Sequence, residues 1–377
     1  MNGNNIRVGN LFGIPFYLNP SWFLVLGLVT FSYGDALNST FPQLGLIVSL
    51  LLGLGAALLL FSSVLAHELG HSLVAIRQGI GVNSITLFLF GGLARLEKES
   101  ETPAEAFWVA IAGPGVSIML FGILTAIGLY APITGPVAAV IELLAYINLV
   151  LALFNLIPGL PLDGGNILKA LVWKITGNPN RGIIFASRMG QVIGWSAITL
   201  GFLSLFNIHL NLFGVALPGS IWTLLIGSFL LQNAGRSAQS ATIQNILTKL
   251  KAEDAVNQES PIVPDSLSLR EFANNYVIGQ NKWQKFLAID DEGRLLGTVA
   301  VDDMRAISTS QWTITPVTTL VKPVPTSEIV QSDQTLLEVV QLLEQKKLEQ
   351  LPVVRNNGNL VGLLEKAAIA RLVQQQA

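Results

Sequence analysis

LIVSLLLGLGAALLLFSSVLAHELGHSLVAI, residues 46–76, is the stretch from which the fold is read. It is long and apolar enough to cross a membrane as one helix. Near its end stands His67-Glu68-Leu69-Gly70-His71. Two imidazoles at i and i+4 lie about 40° apart around a helix axis, so both can reach one metal ion, and Glu68 falls at the rim of the same face. Two His ligands with a carboxylate beside them, able to take a proton from water, make the donor set of a zinc hydrolase. The alternative is a chance match. Against it, His67 and His71 are two of only three histidines in the chain, and an unpaired ionisable group at mid-membrane costs about 2.5–3.5 kcal/mol on the gentler scale. Three such groups within five residues need a partner, and a metal in a wet cavity supplies one.

Composition supports the membrane reading. The chain has 377 residues, 51% of them hydrophobic and only 12% charged, against a usual ~25% charged. The charges are also unevenly placed. Residues 1–236 hold nine of the 22 Lys and Arg, and the remaining residues hold 16 of the 24 acids. A membrane domain (1–236), a linker (237–257) and a soluble domain (258–377) are therefore expected. The net charge of −2 gives no reason to expect a nucleic-acid partner, and the absence of cysteine excludes disulfides and thiolate ligands. The stretch MNGNNIRVGNLFGIPFYLNPSW lacks the apolar core of a cleaved signal peptide.

Apolar segments at about 19–33, 45–76, 106–130, 136–157, 183–206 and 213–233 predict six spans, the first being short. Six crossings put both termini on one side. The loops at 34–44, 129–136 and 207–214 then share the other side, and none contains Lys or Arg. The positive-inside rule makes the terminal side cytoplasmic, in a multi-pass protein of the cell membrane.

Between the second and third spans, SITLFLFGGLARLEKE (84–99) is β-prone, turns at Gly91-Gly92 and is too short to cross. It is either a loop lying at the interface or a short hairpin lining the cavity, with an edge open to an extended peptide. The third span carries Ala112-Gly113-Pro114-Gly115-Val116-Ser117, small residues read here as allowing close helix packing. The fourth span ends in Asn155, Pro158, Pro161, Asp163, Gly164 and Gly165, where prolines and glycines must break the helix. Asp163 either caps the helix that follows or supplies the third ligand that the His pair lacks. A lone acid in apolar surroundings beside that pair favours the ligand. Glu142, about 20 Å up the same helix, reads as structural, and His209 reads as solvated in an outer loop.

Residues 234–257 form a polar exit with a short amphipathic helix, and an internal repeat follows. Residues 262–307 read strand, helix (268–278), strand (286–290), turn, strand (296–300), helix. Residues 324–373 repeat that order, with a helix over 335–347, strands at 351–354 and 360–364, and a last helix at 366–373. Neither half can bury a core alone, so the two should pack as one α/β module.

Taken together, these residues resemble the site-2 protease family of intramembrane zinc metalloproteases, in its compact form with a C-terminal tandem CBS pair. The His67–His71 pentad is similar to the family's HExxH, and Asn155…Pro158…Asp163-Gly164 to its second motif. Phe90-Gly91-Gly92 and Gly113-Pro114-Gly115 are similar to further family motifs. The implied fold is membrane all-α, with six transmembrane helices and a short β hairpin near the active site, plus a soluble α/β CBS pair. One Zn²⁺ per chain would be held by His67, His71 and Asp163. Glu68 would be the general base, and Asn155 would orient substrate or stabilise the oxyanion. Phe88, Phe90, Gly91 and Gly92 are candidates for holding an unwound substrate. The expected substrates are single-span regulatory membrane proteins such as anti-sigma factors. The CBS ribose signature is partial. Gly297 to Asp303 keeps Asp303 without the hydroxyl, and Gly362 to Ala368 keeps neither. An adenine nucleotide is therefore one expectation for this unit, and an interaction or homodimerisation module is the other. Two rival readings are a CBS-regulated transporter and a non-catalytic scaffold. The first predicts facing polar groups on paired repeats; the second, missing ligands.

Overall fold

The computed structural model describes residues 5–89, 91–206, 208, 211–212, 215–216, 219–257, 259–278 and 283–376. Phe90 and His209 lie outside the described residues. The chain divides into two compact units, Met1–Gln239 and Ser240–Ala377.

In the first unit, strands β1 (Ile6–Leu11) and β2 (Ile14–Leu18) precede α1 (Pro20–Thr40). After α2 (Gly45–Arg77) come β3 (Val82–Phe88) and β4 (Gly91–Leu96), then α3 (Pro103–Tyr130), α4 (Pro136–Asn155), α5 (Asp163–Thr176) and α6 (Pro179–Leu205). A two-residue pair, β5 (Asn211–Leu212) and β6 (Val215–Ala216), leads into α7 (Ile221–Lys249). Four of these helices open on proline, whose missing N–H and fixed φ suit the first helical position. Asn19 caps α1, and a Thr102–Glu105 capping box fixes the start of α3.

Among the described residues, four helical segments are long and apolar enough to cross a membrane: Pro42–Arg77, Pro103–Tyr130, Pro136–Asn155 and Pro179–Leu205. The other two expected spans correspond to α1 and α7, which are helical but do not reach that standard. The second half of α7 is polar, from Gln232 to Lys249. Large apolar side chains such as Phe31, Ile47, Leu51, Leu59 and Met119 point outward, as lipid-facing residues do. Small residues carry the inner contacts. A Cβ on Gly53 of α2 would lie 2.5 Å from the Thr30 carbonyl oxygen of α1, so these two helices pack backbone to backbone.

The segment at 84–99 forms a hairpin, not an interfacial loop, and it belongs to a larger sheet of order β1-β2-β3-β4. Strand β2 runs parallel to β3, and β3 pairs antiparallel with β4 in the register Thr86↔Leu93 and Leu87↔Gly92. The N-terminal pair was not expected from the sequence. It turns at Phe12-Gly13, both at positive φ.

In the second unit, β7 (Ile262–Pro264), β8 (Lys285–Ile289) and β9 (Leu295–Ala300) form one sheet, and β10 (Val330–Gln331), β11 (Gln350–Val354) and β12 (Leu360–Glu365) the other. In each sheet the first pair is parallel and the second antiparallel, so the repeat is structural. The expected helix at 268–278 is shorter: α8 (Leu269–Phe272) passes into a π turn at Ala273–Val277. The later helices, α9 (Leu336–Lys346) and α10 (Lys366–Gln376), lie where the sequence put them. Turn meets turn between the halves, where Leu295 N–H donates to Gly358 O and Leu360 N–H to Gly293 O. The division between the two units, Gln239/Ser240, falls within the region expected as a linker (237–257). Helix α7 continues unbroken to Lys249, and Leu247, Ala252 and Ala255 pack into the core with Leu336, Leu343 and Leu364.

Candidate metal centre

The pentad occupies the last turns of α2, and His67 is 3% exposed. Asp163 is the first residue of α5. The cap position is Leu162, and no side-chain cap hydrogen bond is present, so the carboxylate is free to point elsewhere. It points at the histidines. Its Oδ2 lies 3.1 Å from His67 Nε2 and 3.3 Å from His71 Nε2, and the two Nε2 atoms are 3.3 Å apart.

A backbone device brings Asp163 there. The loop after α4 is strapped to α6, with Leu160 N–H donating to Ala186 O at 3.1 Å. A Cβ on Gly190 would meet Leu160 O at 2.1 Å, and one on Gly165 would meet Leu160 N at 2.3 Å. Only glycine allows these approaches.

The triangle fits a metal. His71 Nδ1 is 2.6 Å from the Val109 carbonyl oxygen, an acceptor only, so Nδ1 carries the ring proton and donates it. A lone pair is left on Nε2. Three electron-rich atoms then face one another, a cradle that a cation completes. Bonds of about 2.0–2.1 Å to a tetrahedral Zn²⁺ imply ligand–ligand edges near 3.3 Å, which the observed distances match. Among the described residues, this is the group of three such side chains whose ligand atoms lie within 4.8 Å of one another.

A cavity of about 330 Å³ opens beside the triangle, lined among others by Glu68, Gly92, Asn155 and Lys169. That is within the usual range of ligand sites. Ala94 of β4 lines the cavity beside Glu68. Gly92 abuts Glu68, and a Cβ there would lie 2.3 Å from Glu68 Cγ. Asn155 reaches the cavity from the end of α4, with Nδ2 donating to Leu151 O at 3.1 Å. Gly92 thus lines the cavity. Gly91, expected in the turn with Gly92, is instead the first residue of β4, paired with Phe88 of β3, and neither Gly91 nor Phe88 lines the cavity. In the second unit, the Asp303 carboxylate is held by Lys322 Nζ at 2.8 Å. A separate cleft there of about 200 Å³ is lined by residues including Lys285, Thr298 and Gln350, with Asp303 not among them.

Sequence reading missed three contributors on α3. These are the Val109 carbonyl, the Ser117 hydroxyl 2.9 Å from His67 Nδ1, and Gly113, where a Cβ would lie 2.2 Å from His71 Nε2 and 2.6 Å from His67 Nε2. Their four-residue spacing is visible in the sequence; that it faces the imidazoles is not. An ion pair between Lys169 and Glu99 at 3.1 Å was likewise not foreseen.

Comparison with known proteins fits this geometry. The pattern of Peptidase family M50 matches residues 55–134 and 131–197, and that of the CBS domain matches residues 320–375. A Synechocystis sp. protein named "Putative zinc metalloprotease sll0528" is 57% identical over 99% of this chain and 97% of its own. The Mycobacterium tuberculosis protein named "Putative zinc metalloprotease Rip3" is 32% identical over 98% and 92%. Among solved structures, the site-2 protease from Methanocaldococcus jannaschii is 27% identical, covering 62% of this chain and 95% of that one, with a TM-score of 0.43. With a relative this similar over nearly its whole length, the chain belongs to peptidase family M50, the site-2 proteases, and is a zinc metalloprotease carrying a CBS domain.

Proposed function

We propose that this protease cleaves peptide bonds within or next to transmembrane helices of single-span regulatory proteins, as a step in regulated intramembrane proteolysis. The observation that carries the reading is the convergence of His67, His71 and Asp163 beside Glu68, at the end of a long apolar helix. Those three side chains hold the zinc. When bound, the ion would lower the pKa of a water toward neutrality and polarise a carbonyl. Glu68 takes the water's proton and passes it to the leaving amine. Asn155 directs its second amide N–H at the developing oxyanion. The substrate helix must unwind first, and β4, an edge strand beside Glu68, holds it extended by strand addition.

Six crossings, with both termini and the CBS unit cytoplasmic, agree with the absence of Lys and Arg from the three opposite loops. For the CBS unit we favour an interaction or homodimerisation role over adenine-nucleotide sensing. The Asp303 carboxylate is engaged by Lys322, and Ala300 and Glu365 stand where the signature has a hydroxyl.

Glu68→Gln tests the catalytic reading. Purified E68Q should hold zinc one to one yet release no product from a single-span substrate, and in membranes it should accumulate the natural substrate. Cleavage at the wild-type rate would remove Glu68 from the mechanism.

A further inference from the structure

We infer that Val109, Gly113 and Ser117, one stripe of α3, are positioning residues for the zinc site. They fix the tautomer and ring orientation of both imidazoles from a helix that supplies no ligand. The inference rests on His67, His71 and Asp163 being the ligands.

The three residues are four apart, so they fall on one face of α3 over slightly more than two turns. Each meets the histidine pair differently. The Val109 carbonyl accepts from His71 Nδ1 at 2.6 Å, which leaves Nε2 of that ring with its lone pair toward Asp163. At the other end of the stripe, Ser117 Oγ is 2.9 Å from His67 Nδ1. With His67 Nε2 turned to the triangle, Nδ1 carries the proton and donates it to the Ser117 oxygen. Between them, Gly113 lets both rings lie against the helix backbone.

Packing alone does not explain a serine at 117. The residue is 0% exposed, where alanine would fill nearly the same space without a polar atom to satisfy. Its oxygen is spent on His67. A ligand imidazole commonly donates its second N–H to such a partner, which fixes its rotation and raises its basicity. Here the partners of both rings come from the same helix. One rigid element thus sets the angle between two ligands on another.

The test uses the full-length protein in detergent, with zinc affinity measured by competition against a chromophoric chelator. Ser117→Ala should bind zinc about 10–100-fold more weakly. Ser117→Thr, which keeps the hydroxyl, should recover most of that loss. Wild-type affinity in a folded S117A protein would overturn the inference. A second measurement needs no variant. With only three histidines in the chain, ¹⁵N-histidine NMR of the zinc-loaded wild type should show Nδ1 protonated and Nε2 unprotonated on both ligand rings. A ring with the reverse pattern would refute the assignment. Failure of the ligand reading looks different: Asp163→Ala would then keep full zinc affinity, or the wild type would bind none.

Discussion

Gly113→Ala is the sharpest perturbation the structure offers, since it adds one methyl group and no charge. Built on the observed backbone, the new Cβ would lie 2.2 Å from His71 Nε2 and 2.6 Å from His67 Nε2, where ordinary contact begins near 3.4 Å. One ring atom must therefore retreat by about 1.2 Å and the other by about 0.8 Å, unless α3 moves away. Metal sites tolerate departures of only about 0.2 Å from ideal ligand distances. Neither escape is easy: the rings are hydrogen-bonded to Val109 and Ser117 on the same helix, and α3 cannot retreat without taking those partners with it. The expected outcome is a folded, membrane-inserted protein with zinc far below one per chain and no proteolysis. Metal content by atomic spectroscopy, beside helix content by circular dichroism, reads this directly. A G113A protein with stoichiometric zinc and wild-type cleavage would refute the argument from close approach.

Two further substitutions separate the parts of the site. The three nearest neighbours of a Cβ at Gly92 are all atoms of Glu68, with Cγ at 2.3 Å, so Gly92→Ala should lower kcat by at least tenfold while zinc content stays at one; loss of metal would show that the hairpin supports the ligands as well. Gly190→Ala meets a backbone carbonyl, Leu160 O, at 2.1 Å, and so displaces the loop that presents Asp163. It should cost about 1–3 kcal/mol of stability and weaken zinc binding together, as thermal unfolding with and without a chelator would show; a variant that melts and binds zinc like the wild type would free the loop from α6.

The metal triangle was legible because its signals are local. His67 and His71 declare their spacing on one helix, and Asp163 stands alone in a Pro- and Gly-rich break. The hairpin was legible from its β-prone runs, although Gly91 and Gly92, read as its turn, both lie in β4, and the two halves of the second unit were legible from strands bounded by glycine turns at Gly293 and Gly358. The N-terminal hairpin was not, because Phe12-Gly13 is not a usual two-residue turn sequence and its second strand, β2, pairs with residues about 70 positions away. The end of the membrane unit misled for another reason. Where apolar character fades after Leu231, a span ends on paper, yet Gln, Ala and Ser carry α7 on to Lys249. The parts played by Gly113 and Ser117 depend on which way α3 faces, and a single sequence does not encode facing. Small residues there read as packing, which is half of what they do.

The capping box at Thr102 and Glu105 has a consequence beyond starting a helix. It pins the rotational phase of α3, and Val109 lies seven residues further on, about two turns. One inserted residue in that interval would swing everything downstream by about 100°, turning carbonyl, glycine and hydroxyl away from the rings while leaving every ligand intact. The count of residues between Thr102 and Val109 is therefore as much a specification of this enzyme as the identity of its histidines. A deletion there should abolish activity as surely as losing one of them.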